Sequence, residues 1–386
     1  MEEVVKTIKP AKFKRLRFTG NGFAFFKIWI VNIFLSILTI GIYSAWGKVR
    51  SKKYLYNSTS FAGSRFNYHA EPKKILLGRA IAAGLFLLYI TASTYSPIIG
   101  GIIGLLLFFL TPFFMIKTIR FAAAHTSYRN IRFSFRGTIQ NAYSLIFNAF
   151  KFPIILMIAS TLLQTVVGKN PQLIVAAIGL NLLSTLVILF YFLFKISDFL
   201  DQFIKYIYGS LYYGTTKFEI NSDREDVSDQ IIKPYRTSII KAGLLALALF
   251  GIGIYSQGFG GKGLGVILSI LPIFCAYGIL IIASLRFPYL FMDYVWNRIT
   301  FPGGKTKSIL KWDDFWKTSL TNMFKVAISF GLLYPFTKIT MLILKIDNRA
   351  IKVDDLDSFV SDNKIKPNAI AEEIADAFDI GFDFGL

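Results

Sequence analysis

Long, nearly uncharged apolar stretches constrain this chain more than any other feature, because a polypeptide that carries several of them can bury them only in hydrocarbon. Three pairs recur along the sequence, at 75–90 with 98–116, 139–167 with 173–194, and 239–254 with 263–285. Each pair reads as a helical hairpin, since the connectors near 91–97, 168–171 and 256–262 are short and turn-rich and hold only Lys169 and Lys262 as charges. A core-rich soluble protein spreads its apolar residues at amphipathic spacing instead. Composition agrees: 54% of residues are hydrophobic and 17% charged, which is too apolar for a water-soluble chain of 386 residues.

The formal charge of +20 would raise nucleic-acid binding in a soluble protein. Here the Lys and Arg residues gather between the apolar pairs, which is the pattern of loops held on the cytoplasmic side beside anionic headgroups. Nucleic acid is therefore not an expected partner, whereas membrane lipids are. Two further segments, 28–45 and 326–344, do not fit this alternation, because full crossings place the basic N-terminus on the wrong side. They are also short for spanning. The expected domain 1–345 thus has six spans and two broken or re-entrant segments, with eight full spans as the alternative. The N-terminus, with Glu2 and Glu3 and no apolar core behind its first positive charges, lacks signal-peptide form.

The two short segments match at a constant offset of 290: Asn32 with Asn322, Phe34 with Phe324, Gly41 with Gly331, Trp46 with Phe336 and Lys48 with Lys338. An early Asn, a late Gly and an aromatic just beyond suit a helix that breaks and turns. A second match lies in the loops, where STSFAGSRFNYHA at 58–70 and HTSYRNIRFSFRG at 125–137 are offset by 67. Related fragments are RFTG at 17–20 and KFEI at 217–220. Period-two alternation around Ala62 and Gly63, or Arg129 and Asn130, predicts short β-hairpins that pair into a small cytoplasmic sheet. The fold class expected is a mainly α, polytopic bundle of helix hairpins with β-hairpins in its loops. The tail 346–386 turns acidic, and Ile370, Ile374 and Phe378 recur at the spacing of a short amphipathic helix.

TIGIYSAWGKVR at 39–50, the following KKYLYNST, the RFTG near the N-terminus and EEIADAFD at 372–379 resemble the YjgN-type bacterial inner-membrane proteins, a domain of unknown function. The resemblance runs from about Phe13 to Asp379. It implies an inner-membrane, multi-helix bundle and names no activity. The later copy departs from the first, with Pro335 and Phe336 in place of Ala45 and Trp46.

No constellation points to catalysis, a cofactor or a metal. His69 and His125 occupy different phases of the loop match, without carboxylates or cysteines at ligand spacing. The lone Cys275 excludes an intrachain disulfide. The glycines at 258–265 follow no strand and precede no Lys-Ser or Lys-Thr step, so they are not a nucleotide loop. Asp198, Asp201 and Asp293 lie near apolar ends and not within them, which argues against a proton-coupled pump. Two groups remain. Asn32, Thr39, Gly41, Asn322 and Gly331 mark a break or pathway. Trp46, Lys48, Arg50, Lys52, Lys53, Arg65 and Arg132 are candidate contacts to anionic lipid, with plain positive-inside charge as the competing account. The expected function is transport or permeation of a small solute or lipid in the bacterial inner membrane. The alternative is a non-catalytic scaffold that binds anionic lipid or a membrane partner, a second copy of itself included.

Overall fold

The strands of the loop hairpins organise the rest of the fold. The computed structural model describes residues 12–167, 174–256, 274–275 and 277–359. The turn at 168–171, most of the apolar run 263–285 and the tail helix at 370–378 fall outside those residues wholly or in large part. Among the described residues there are twelve short strands: β1 Lys14–Arg15, β2 Arg17–Phe18, β3 Thr59–Phe61, β4 Ser64–Tyr68, β5 Thr126–Tyr128, β6 Ile131–Phe135, β7 Leu211–Tyr213, β8 Thr216–Lys217, β9 Glu219–Ile220, β10 Ile299–Phe301, β11 Gly304–Ser308 and β12 Arg349–Val353. The helices are α1 Gly22–Leu38, α2 Ser44–Asn57, α3 Pro72–Tyr95, α4 Pro97–Ala124, α5 Ile139–Val167, α6 Ile174–Tyr208, α7 Arg224–Val227, α8 Lys233–Ser256, α9 Arg286–Trp296, α10 Trp312–Ile328 and α11 Tyr334–Asp347, with a π turn at Ser228–Ile232.

The strands form two antiparallel ladders, β2-β3-β4-β5-β6-β7-β8 and β1-β12-β11-β10-β9. Only Leu16 separates β1 from β2 and only Phe218 separates β8 from β9, so the two ladders share both ends and close into a ring. Backbone bonds carry the pairing across both joints, from Leu16 N to Arg349 O at 2.9 Å and from Phe218 N to Leu211 O at 2.9 Å. The expected small sheet is therefore closed into a barrel, with β1–β2 forming one joint between the ladders and β8–β9 the other.

Around this ring the chain passes five times from strand through helices to strand, with a helix pair at 14–61, 64–128, 131–213 and 304–353, and with α7, the π turn, α8 and α9 among the described residues of 216–301. Two-residue turns join successive passages. All four hold left-handed residues that set the hairpin twist: Ala62 (φ 46°) with Gly63 (85°), Arg129 (47°) with Asn130 (63°), Gly214 (58°) and Gly303 (75°). In every passage a helix starts six residues after the same strand position, at Gly22, Pro72, Ile139, Arg224 and Trp312. Three residues into each of these helices lies a buried side chain: Phe25, Ile75, Ala142, Val227 or Phe315.

Inside, one level of the barrel holds Phe61, Tyr128, Tyr213, Phe301 and Ile351, and the next holds Leu16, Phe66, Phe133, Phe218 and Thr306. Aromatic rings lie against one another around the wall, for example Phe66 with Tyr128 at 4.9 Å, Phe133 with Tyr213 at 4.9 Å and Phe218 with Phe301 at 5.6 Å. A cavity of about 160 Å³ remains on the axis. Residues 354–359 cross the turn end of the barrel, held by Arg129 to Asp357 at 2.6 Å, and put the Phe359 ring against Tyr213 and Phe301. On the outer face, one position before the Leu16 level, stand Arg15, Arg65, Arg132, Lys217 and Lys305, all exposed.

The long helices leave the barrel with wide apolar faces, where Phe86, Leu106, Ile155, Phe194 and Leu247 are each more than half exposed. Soluble monomers do not leave contiguous apolar surface of that extent in water. Among the described residues four helices are long and apolar enough to cross a membrane, Pro72–Tyr95, Ile98–Ala124, Ile139–Leu163 and Tyr277–Trp296. The bent pair Gly179–Phe192 and Phe194–Tyr208, at 47°, makes a fifth if it is one span. The sequence run 239–254 lies in α8, which is not among those four.

Two outcomes test this architecture. Leu16 sits where the ladders meet and is 1% exposed, so Leu16→Ala is expected to cost about 2–5 kcal/mol and to raise protease sensitivity in both ladders together. His69 bonds Ser127 Oγ at 2.7 Å between two passages, and burial, with Arg132 and Lys53 nearby, lowers its pKa below 6.5. The unfolded chain then takes the proton first as pH falls, so stability is full above about pH 6.5 and declines on acidification. Thermal melts at pH 7 and pH 5 should show this loss, and His69→Gln should reduce it.

Candidate functional site

The two short helical pairs, α1–α2 and α10–α11, are built alike down to single hydrogen bonds. In the first, Ile40 (φ 49°) and Gly41 (φ 88°) are left-handed, and in the second Phe330 (49°) and Gly331 (89°) take the same geometry. Gly41 N donates to Ser36 O at 2.7 Å and Gly331 N to Val326 O at 2.9 Å, which closes each helix end with a backbone bond that needs the left-handed step. Thr39 steadies its turn by donating to Leu35 O and accepting from Tyr43 N. Asn32 Nδ2 donates to Gly47 O at 3.1 Å, and Asn322 Nδ2 donates to Thr337 O at 3.1 Å, so a buried amide pins each pair of helices. At a rise of 1.5 Å per residue, the 17 residues of α1 reach only about 25 Å. That is short of a hydrocarbon core of roughly 30 Å. The tips are apolar and outward, with Ile40 95% and Phe330 97% exposed.

What differs is the neighbour. α1 packs on α11, where Trp29 lies against Tyr334 at 6.2 Å, Phe26 stacks on Phe336 at 5.6 Å and Lys338 Nζ sits 5.8 Å over Phe25. The corresponding neighbour of α2 is α3. Arg79 stands seven residues into α3, as Trp29 does in α1, and Ser44 opens α2 as Tyr334 opens α11. In place of an aromatic pair, Arg79 Nη1 therefore donates to Ser44 Oγ. With two bulky rings exchanged for a guanidinium and a hydroxyl, the interface holds an open cleft of about 450 Å³. Its walls include Asn32, Ser36, Lys48, Ser51 and Arg79 beside Trp29. Asn32 is 8% exposed, and its Oδ1 is buried with no hydrogen-bond partner. A leftover acceptor of this kind is costly unless something donates to it. Two cations, hydroxyls and an amide acceptor suit an anionic ligand that also carries donors.

Of the residues singled out from sequence, the cleft gathers Asn32 and Lys48. Thr39 and Gly41 shape the turn above it, and Asn322 and Gly331 do the same in the second pair, whose interface is filled. Trp46 turns to the core and stacks on Tyr43 at 6.3 Å, and Lys52 lies over the Tyr68 ring at 5.4 Å. Arg50 and Lys53 are exposed on α2. Arg65 and Arg132 belong to the outer face of the barrel, so the structure does not bring them into the cleft. Arg79, Ser36, Ser44 and Ser51 were not among the sequence candidates. The available signal for Arg79 was its standing as the one charge within the apolar run 75–90, a costly position that calls for a partner.

Elsewhere the polar groups tie passages together. Ser222 Oγ donates to the buried Asp201 at 2.7 Å and contacts Tyr294 Oη at 3.0 Å, while Asp198 pairs with Arg224 at 2.7 Å. Among the described residues no group of three or more His, Cys, Asp and Glu is placed to hold a metal ion.

Apolar helices of spanning length, fixed at one end to a small closed barrel, define a helical membrane protein. The chain belongs to the family described as "Bacterial protein of unknown function (DUF898)", whose pattern matches residues 13–377. It is 33% identical over 136 residues to the inner membrane protein YjgN of Escherichia coli K12, an alignment that covers 34% of this chain and 33% of that protein. It is 28% identical over 148 residues to the inner membrane protein YjgN of Salmonella typhimurium, covering 37% and 36%. The chain spans about a third of the length of the curated relatives it matches. No solved structure matches.

The shared turn geometry gives its own test. A Cβ at Gly41 or Gly331 meets no atom, so the penalty of alanine there is backbone strain alone. Gly41→Ala and Gly331→Ala are each expected to cost about 1 kcal/mol in detergent melts, and unequal costs above twofold would contradict the equivalence of the two turns.

Proposed function

We propose that this protein is a non-enzymatic, multi-pass protein of the bacterial inner membrane that transports or admits an anionic amphiphile, with the barrel and basic loops on the cytoplasmic side. The cleft between α1–α2 and α3 is its recognition site. The observation that carries this reading is the exchange of Trp29–Tyr334 for Arg79–Ser44 at equivalent places in the α1–α11 and α2–α3 interfaces. Packing alone is served by the aromatic pair. A buried-side arginine beside a short helix that stops within the membrane has a use when a negative group lies next to it. The barrel interior supports a lateral route, because its cavity of about 160 Å³ is walled mainly by Phe, Tyr and aliphatic side chains, a poor path for a polar solute.

A second reading, a scaffold that holds anionic lipid or a membrane partner without moving it, is favoured by the barrel itself, whose closed ladder and basic outer residues form a rigid platform. Reconstitution separates the two. Vesicles with wild-type protein and a fluorescent anionic lipid should redistribute that lipid across the bilayer at least about tenfold faster than protein-free vesicles. The double variant Arg79→Trp with Ser44→Tyr, which installs the packed pair, should return the rate to background. Lipid retained on the protein without any faster redistribution would favour the scaffold.

A further inference from the structure

We propose that the ligand of the α1–α2–α3 cleft is a phospholipid whose phosphodiester bears a hydroxyl-rich, glycerol-like headgroup; this rests on the anionic-amphiphile reading above. The starting point is Asn32. Its Nδ2 is committed to Gly47 O at 3.1 Å and Ser51 Oγ at 3.2 Å, and a flipped amide would face the carbonyl of Gly47 with its own oxygen. The orientation is therefore fixed by the backbone of α2. Gly47 permits this closeness, since a Cβ there would stand 3.1 Å from the Asn32 Cβ. Oδ1 is left as a buried acceptor without a partner in a residue that lines the cleft.

The ligand must then supply two things. A negative group answers Lys48 and Arg79, and an N–H or O–H answers Asn32 Oδ1, directly or through one bound water. An ammonium is disfavoured as the donor, because it would enter a cleft that already holds two cations. A hydroxyl has no such conflict. Hydroxyls also suit Ser36 and Ser51, which can donate and accept in turn. Apolar Ile33 and Ile37 on the same wall and the short, apolar tip at Ile40 leave acyl chains facing hydrocarbon, which points to a lipid over a free phosphate ester.

Comparison of two lipids of equal charge isolates the donor. The full-length protein in nanodiscs is titrated with dioleoylphosphatidylglycerol and with dioleoylphosphatidylmethanol, a phosphodiester without a headgroup hydroxyl, and bound lipid is counted by native mass spectrometry. Wild type should prefer the glycerol lipid by about tenfold, the worth of one hydrogen bond to a buried acceptor. Asn32→Leu should bring the two within about twofold while both still bind, as loss of a single neutral bond predicts. Asn322→Leu loses the same interhelical bond in the filled interface and should keep the preference. Equal binding of both lipids by wild type would overturn the hydroxyl inference and leave the anionic reading standing, and that comparison holds even if Asn32→Leu does not fold. Failure of both lipids to bind would remove the anionic reading itself. Full displacement of lipid by soluble glycerol phosphate at equal concentration would overturn the assignment to a lipid.

Discussion

Ring closure of the backbone ladder is the constraint on which the rest of this structure depends. Strands of two to five residues have little stability as isolated hairpins. Here β3 to β7 and β10 to β12 are each paired on both sides, the short strands β1, β2, β8 and β9 form the two joints, and the last pairing, of β12 with β1, brings the C-terminal passage back to the N-terminal strand. Because interior side chains alternate with exterior ones, the register that seats Phe61, Tyr128, Tyr213 and Phe301 inside also sends Arg15, Arg65, Arg132, Lys217 and Lys305 outside. The helices inherit this order. Each passage launches its first helix six residues beyond the barrel, so the barrel fixes the position around the axis at which every helical pair enters the membrane.

Equal placement around a ring does not require equal content, and the molecule uses that freedom at α1–α2 and α10–α11. The two pairs share their length, their left-handed turn and their asparagine clamp, and they differ in what stands beside them. α11 meets α1 and the gap is filled by aromatic rings. α2 meets α3, whose matching position is Arg79, and the gap stays open. The cleft thus lies at an interface that the scaffold repeats, where Arg79 and Ser44 stand in place of Trp29 and Tyr334 and Leu76 in place of Phe26, and its walls combine well-supported helices with an unpaired acceptor.

Much of this was legible in the sequence, though unevenly. The offset of 67 between the loops at 58–70 and 125–137 identified a strand pair because both copies keep a basic residue before an aromatic. The offset of 290 identified the short pairs because Asn, Gly and Lys recur in step. The remaining passages were obscured by physics and not by chance. Helical pairs of unequal length separate the strands by unequal intervals, so no single period appears, and interior positions accept Ile351 or Thr306 as readily as Phe. The fragment at 17–20 was a near miss: the partner of Lys217 and Phe218 in the ring is Arg15 with Leu16, two residues earlier. Local alternation shows that a strand exists, whereas closure depends on pairings across hundreds of residues.

Arg79 was hidden for a related reason. Averaged over 75–90, one arginine leaves the run strongly apolar, because the other fifteen residues are Ile, Leu, Ala, Phe, Gly and Tyr. Its meaning lies in the residue that occupies the same place one passage earlier around the ring, and that comparison needs the ring. A lone charge in a spanning helix is costly wherever it stands, but the cost alone does not distinguish a snorkelling side chain from a ligand site. The distinction comes from Trp29. The same scaffold position has been filled once with an indole that packs, so an arginine there is not imposed by the fold. A group that the architecture does not need, bonded to Ser44 at the mouth of a cleft with a buried amide oxygen unanswered, is what the proposed ligand would account for.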